Sequence, residues 1–198
     1  MMIKLFNEFK NKIDENINTH QSLVENFIDV KKAIDLISAS LKKKSKILLC
    51  GNGGSAADAQ HLAAEFLVRL RPNVNRNPLP ALSLAQDTST ITACGNDYEF
   101  SDIFLRTFIA LQRKNDVLIV ISTSGNSKNI IKVLKEAKKK KIKTIGLLGS
   151  GGGQSKKLCD IKIIVSSNIT ARIQECHIFL GHFILEQVEN NLIKKEIS

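Results

Sequence analysis

The chain has 198 residues, enough for one domain with a sizeable core, and 43% of them are hydrophobic. No apolar run is long enough to span a membrane, and Lys4, Asn7, Glu8, Lys10 and Asn11 interrupt any signal-peptide core, so a cytoplasmic protein is expected. The formal charge of +10 raises nucleic acid as a partner, but 23 of the 29 cationic side chains are lysine and no tryptophan is available to stack on bases. The lysines gather at expected helix ends (42–44, 138–141 and 194–195) and read as solvated surface, with some attraction for anionic sugar phosphates. No nucleic-acid or membrane partner is expected.

Residues 2–41 are helical in pattern, with Ile3, Phe6, Phe9, Ile13 and Ile17 followed by Val24, Phe27, Ile28, Ile34, Ile37 and Leu41. Ser22 and Glu25 suit a capping box after a break near 18–21. A helical stretch this long before the first strand has no sheet of its own to cover, so residues 1–41 are expected to form an oligomerisation segment and 42–198 the functional domain.

The first strand, 46–50, runs into Gly51-Asn52-Gly53-Gly54-Ser55 and a helix expected to reach Leu70. Glycines there permit close approach of backbone to a ligand, although tight turns use them equally. At about 100° per residue, Ala56, Ala59, Ala63, Phe66, Leu67 and Leu70 share one helix face, and Asp58, His61, Glu65 and Arg69 share the other. The polar stripe is either a solvated surface with Glu65 pairing to His61 and Arg69, or a functional face covered by a neighbouring subunit.

A proline-marked loop leads to a second strand at 79–84, then to a short helix capped by Asp87 or Thr88 and ending at Gly95, with Asn96 and Asp97 after it. Phe100, Ile103, Phe104, Phe108 and Leu111 mark the next helix. The run 117–121 is β-branched or leucine throughout and reads as a strand buried on both faces. It feeds Ser122-Thr123-Ser124-Gly125-Asn126-Ser127 and an amphipathic helix over 128–141, for which Ser127 is the candidate N-cap. Free backbone N–H groups, the helix dipole and four hydroxyls make an anion site, though a plain capped turn uses the same residues. No lysine stands where a nucleotide-binding P-loop requires one, so a phosphate monoester is the better fit.

Strands at 144–148 and 161–165 flank a flexible glycine turn at 149–153. Five strands alternating with helices predict a three-layer αβα, doubly wound, five-stranded parallel sheet with ligands at the strands' carboxyl ends. The last helix, 170–194, is apolar nearly all round its middle, which suits burial in an assembly. His182 there needs a partner, and a core histidine with one hydrogen bond is the plainer alternative. Cys50, Cys94, Cys159 and Cys176 are widely spaced and read as reduced, buried thiols.

The loop 122–127, the loop 52–55, His61 with Glu65, Asn96-Asp97, and Arg172-Ile173-Gln174-Glu175 with His182 together resemble the phosphoheptose isomerases of the sugar isomerase (SIS) domain superfamily. The resemblance covers nearly the whole chain. It implies reversible conversion of sedoheptulose 7-phosphate to D-glycero-D-manno-heptose 7-phosphate through an enediol, feeding lipopolysaccharide or capsule. It implies Glu65 as the base at carbon and His182 as the acid at oxygen. Ser122, Thr123, Ser124 and Ser127 would hold the phosphate, and Asn52, Gly53, Gly54, Ser55, Glu65, Arg69, Asn96, Asp97 and Gln174 would surround the sugar. It further implies zinc at His61, Glu65, Gln174 and His182, and a homotetramer with sites at subunit interfaces. A DnaA-binding replication regulator on the same scaffold and an arabinose 5-phosphate isomerase are the competing resemblances.

Overall fold

The computed structural model describes residues 1–193. Its centre is β3 (Val117–Ser122), whose six residues are all buried, as expected of a strand covered on both faces. It pairs in parallel with β1 (Ile47–Gly51) and β4 (Lys143–Leu148); β2 (Ala81–Ser83) and β5 (Ile161–Ile164) form the edges, in the order β2-β1-β3-β4-β5. Alternate strand residues feed separate cores. Ile47, Leu49, Ile119 and Ile145 face α2 (Phe27–Lys42), α3 (Gly54–Leu67) and α7 (Thr170–Ile193). Leu48, Cys50, Leu118 and Val120 face α5 (Ile103–Leu111) and α6 (Lys128–Lys139), with Cys94 of α4 (Thr88–Asp97) joining them. Each fully buried Ile or Leu contributes about 1.5–3 kcal/mol, which makes this three-layer sheet the main source of stability. The four cysteines are free and buried, as expected.

The N-terminal stretch divides differently from expectation. Residues Met2–Gln21 form α1, a 3-10 segment covers Ser22–Asn26, and α2 follows. The expected capping box is absent: Ser22 Oγ donates to the Thr19 carbonyl and so closes α1 instead. Val30, Ala33, Ile34, Ile37 and Leu41 of α2 are buried in the sheet core, so α2 does have a sheet to cover. Asn26 explains the docking, because its side chain accepts from Ile164 N and donates to Ile164 O, completing the open edge of β5. None of α1's residues is buried, and Phe6 and Phe9 remain 64% and 63% exposed. Its tether is polar: Arg172 pairs with Glu175 through two 2.6 Å contacts, Asn16 donates to Glu175 at 2.6 Å, and Arg172 donates to the Lys12 carbonyl.

Three other boundaries moved. The helix expected to reach Leu70 ends at Leu67, the short helix expected to stop at Gly95 continues through Asp97, and β2 keeps only three residues after Pro78 and Pro80. The last helix, expected to reach Lys194, is described to Ile193; Lys194 and Lys195 lie outside the described residues. The lysines after α2 and α6 sit at the amino edge of the sheet, where Lys43, Lys114, Lys140, Lys141 and Lys143 line one groove. Helix C-termini and strand starts share that edge in a parallel sheet, so these charges stand at the far end from the strands' carboxyl edge and do little to draw anions there.

Candidate active site

The sheet's strand order reverses direction between β1 and β3, which is where ligands bind in open α/β sheets. The loops leaving these two strands lie side by side, and the side chains of Asn52 and Asn129 bond them together through a reciprocal amide pair at 2.9 and 2.8 Å. Asn129 is buried and its Oδ1 also accepts from Ile130 N. It is a residue that sequence reasoning missed, because an asparagine in a helix's first turn carries no sign of a partner 77 positions away. Asn52, expected to meet sugar hydroxyls, uses one N–H and one lone pair of its amide in this bridge.

The loop 122–127 closes on itself before it meets any ligand. Ser122 is buried and its hydroxyl accepts from Gly125 N at 3.0 Å; Ser124 Oγ accepts from Asn126 N at 3.2 Å. Ser127 occupies the N-cap position of α6 in extended conformation without a side-chain bond to the helix, so the N–H groups of Lys128 and Asn129 stay directed at the loop, that of Ile130 being taken by Asn129. Ser122 is thus a loop-shaping residue, and Thr123, Ser124 and Ser127 are the hydroxyls that reach partly or fully exposed surface. The glycine turn expected to be flexible is a buttress. Gly125 has φ +64°, a Cβ on it would overlap the Gly152 carbonyl, and Ser155 N donates to Gly125 O. The turn's Gly151, Gly152 and Gly153 all have positive φ, which lets its backbone pass under the loop.

On the other side, Gly53 caps α3 with φ +55°, and Ser55 is buried with its N–H on the Asn52 carbonyl. A Cβ on Gly54 would overlap the Gln174 amide, so α7 approaches the start of α3 closely. Further along, Gly181 rests on Leu62, and His61 Nε2 stands 2.8 Å from His182 Nε2. Glu65 Oε1 is 3.7 Å from His61 Nε2. His182 of α7 in the same chain therefore meets part of the polar stripe on α3, for which a neighbouring subunit was the expected cover, and the His61 side chain stays 46% exposed. His61 is also the partner His182 needs. Arg69 falls outside α3 once the helix ends at Leu67 and is exposed, so it does not extend the stripe. Asn96 and Asp97 close α4, exposed and bonded to each other at 2.8 Å.

Electrostatics favour neutral groups at this seam. Burial and the neighbouring His61 push the His182 pKa below its ordinary value, with Glu65 and Glu186 pulling the other way. Burial raises the Asp58 carboxyl, whose Oδ2 is buried without a hydrogen-bond partner, while His61 partly offsets this. His177, one turn after Ile173 on α7, is fully buried with both ring nitrogens unpartnered; burial lowers it to about 4, and the Leu148 backbone, outside bonding geometry, offsets little. Sequence reasoning missed it too, since nothing local distinguishes a buried helix histidine.

Two imidazole nitrogens 2.8 Å apart need a proton or a cation between them, because two lone pairs repel. Paired imidazoles beside a carboxylate are donor chemistry that suits zinc. Convergence is incomplete within the chain: among the described residues no three His, Cys, Asp or Glu side chains form a metal-binding group. Gln174, the fourth residue of the expected set, lays its amide against Gly54 at the start of α3.

Among the described residues no helix is long and apolar enough to cross a membrane. The SIS domain family matches residues 8–149. The chain is 46% identical over 180 residues to the phosphoheptose isomerase of Campylobacter concisus, covering 91% of this chain and 94% of that protein. It is 53% identical over 152 residues to that of Nitratiruptor, covering 77% and 80%. In structure it superposes on the phosphoheptose isomerase of Neisseria gonorrhoeae with TM-score 0.87 at 38% identity, covering 94% of this chain and 99% of that one. For the Francisella tularensis phosphoheptose isomerase the TM-score is 0.89 at 33% identity, covering 93% and 98%. A five-stranded sheet with adjoining β1 and β3 loops, a hydroxyl-bearing loop at a helix N-terminus, and this breadth of likeness agree: the chain belongs to the SIS domain family and, within it, to the phosphoheptose isomerases.

Proposed function

We propose that the chain interconverts sedoheptulose 7-phosphate and D-glycero-D-manno-heptose 7-phosphate through an enediol, as a step toward heptose for lipopolysaccharide or capsule in the cytoplasm. The observation that supports this most is the meeting of His61, Glu65 and His182 where α3 packs on α7. Thr123, Ser124 and Ser127, with the N-terminal amides of α6, grip the phosphoryl end. Gly53 and Gly54 let the sugar lie against backbone, while Gln174 and the Asn96-Asp97 pair offer amide and carboxylate partners for its hydroxyls. Glu65 takes the proton from C1 and returns it to C2, and His182 moves the proton between the two oxygens. A lowered His182 pKa keeps the imidazole neutral near pH 7, able to accept as well as donate.

Zinc held by His61, His182 and Glu65 would supply Lewis-acid polarisation of the carbonyl. That role competes with proton abstraction, because a carboxylate held tightly by a cation is a weaker base. Activity measured across a chelator titration decides between them. The exposed apolar stripe of α1, with Phe179 exposed nearby on α7, suits burial against further copies of the chain in a tetramer. Sedimentation of Phe6→Glu with Phe9→Glu tests this, with dissociation the expected result.

The relatives above favour the isomerase over a replication regulator on the same scaffold. The test is incubation with sedoheptulose 7-phosphate, comparing wild type with Glu65→Gln and His182→Ala. The wild type forms the aldose and both variants lose at least about a hundredfold in kcat, the lower end of what one acid–base group supplies. A wild type with no turnover, with or without added zinc, overturns the proposal.

A further inference from the structure

The α3–α7 seam decides whether Glu65 and His182 meet, so whatever sets its register also sets the reaction geometry. We propose that Arg76 and Glu189 are positioning residues: a buried clamp that ties the backbone of Glu65 to the helix carrying His182. The proposal rests on the reading of Glu65 and His182 as the acid–base pair.

Arg76 lies in the loop between α3 and β2, yet its side chain is only 4% exposed and that of Glu189 is 0% exposed. Its Nε donates to Glu189 Oε1 at 2.6 Å, one terminal nitrogen donates to the Glu65 carbonyl at 2.7 Å, and the other donates to the Phe66 carbonyl at 2.9 Å. Arg71 Nε holds the second carboxylate oxygen of Glu189 at 3.0 Å, and another Arg71 nitrogen donates to Asn190 Oδ1 at 3.0 Å.

Each partner has a reason to be there. α3 ends at Leu67, so the carbonyls of Glu65 and Phe66 fall in its last turn, where no further helical N–H is available to them. A planar guanidinium spreads its donors in a fixed fork that reaches both carbonyls and a carboxylate at once, whereas an ammonium gathers its three donors on one nitrogen. His182 and Glu189 are seven residues apart on α7 and so share a face, with the clamp about 10 Å beyond the histidine pair. Leu62 against Gly181 makes a third point of contact between them. A clamp needed for stability alone could sit anywhere along these helices; this one takes the carbonyl of Glu65 itself. Reaction geometry tolerates little error, since about 1 Å of misplacement can cost about a hundredfold in rate.

The test uses the full chain, with sedoheptulose 7-phosphate as substrate and a melting curve for every variant. Arg76→Lys keeps a cation beside Glu189 but loses the fork. It is expected to melt cooperatively above the assay temperature, keep KM within about threefold and lose about tenfold to a hundredfold in kcat. In a Glu65→Asp background, whose shorter carboxylate is already out of position, the same change costs less than about threefold, because both act on one geometry. Should Arg76→Lys fail to fold, Glu189→Gln, which keeps the acceptor and removes its charge, is judged by the same two criteria. A folded variant with wild-type kcat, or an equal loss in both backgrounds, overturns the positioning role while leaving the isomerase reading intact. A wild type inactive on the substrate overturns both.

Discussion

Replacing Gly181 with alanine puts one methyl group into the seam between α3 and α7. Its Cβ would stand 2.5 and 2.6 Å from the two methyl carbons of Leu62 and 3.1 Å from Cγ. Carbon pairs rest at about 3.5–4.0 Å, so the helices or the leucine must yield by about 1 Å. Leu62 is 2% exposed and packed into the core, which leaves it little room to turn away. Overpacking of this kind costs about 1–3 kcal/mol, and removing a mid-helix glycine returns about 1 kcal/mol. The net loss of about 0–2 kcal/mol lowers Tm by a few degrees, about 2–4 °C per kcal/mol at this chain length, and leaves the protein folded. Catalysis should suffer more, because His182 follows directly and about 1 Å of displacement can cost about a hundredfold. Steady-state kinetics on sedoheptulose 7-phosphate below the melting transition measures this. Adding Leu62→Val removes clashing carbon and should restore part of kcat. A folded Gly181→Ala enzyme with wild-type kcat refutes the reasoning.

Two further predictions address the loop and the buried histidine. Gly125→Ala places a side chain at φ +64° and onto the Gly152 carbonyl, so it should raise KM at least about tenfold in steady-state assays and weaken inhibition by inorganic phosphate. His177 stays neutral in the fold down to about 4, while the unfolded chain takes up a proton below about 6.5. Stability is therefore lost as pH falls between those values, by up to about 3 kcal/mol for this group. Denaturant midpoints from pH 7 to 4 should show a smaller loss in His177→Leu than in wild type, and equal losses contradict the assignment.

Much of the fold was legible because it follows from local rules. The runs 117–121 and 144–148 read as buried strands since both faces are covered and no alternation is needed. Ser127 read as an N-cap position and sits there. What could not be read depends on distant partners. α3 stops three residues early, its last carbonyls taken by Arg76, and no pattern within the helix announces a guanidinium from the following loop. Gly95 looked like a stop, but it makes no close approach and has no positive φ, so α4 runs through it. The hydroxyls of 122–127 were visible as a group, while the inward turn of Ser122 is set by the three-dimensional course of the loop. By pattern α2 reads with α1 as an appendage; its buried Val30, Ala33, Ile34, Ile37 and Leu41, and the tie of Asn26 to the β5 edge, show that it belongs to the core.

The central claim is that Glu65 moves a proton between C1 and C2. Turnover in D2O, read by NMR of the sugar, tests it most directly. The wild type should place deuterium at C2 of the aldose formed from sedoheptulose 7-phosphate, and Glu65→Gln should incorporate none above background. Deuterium entering at the wild-type rate in Glu65→Gln contradicts the account.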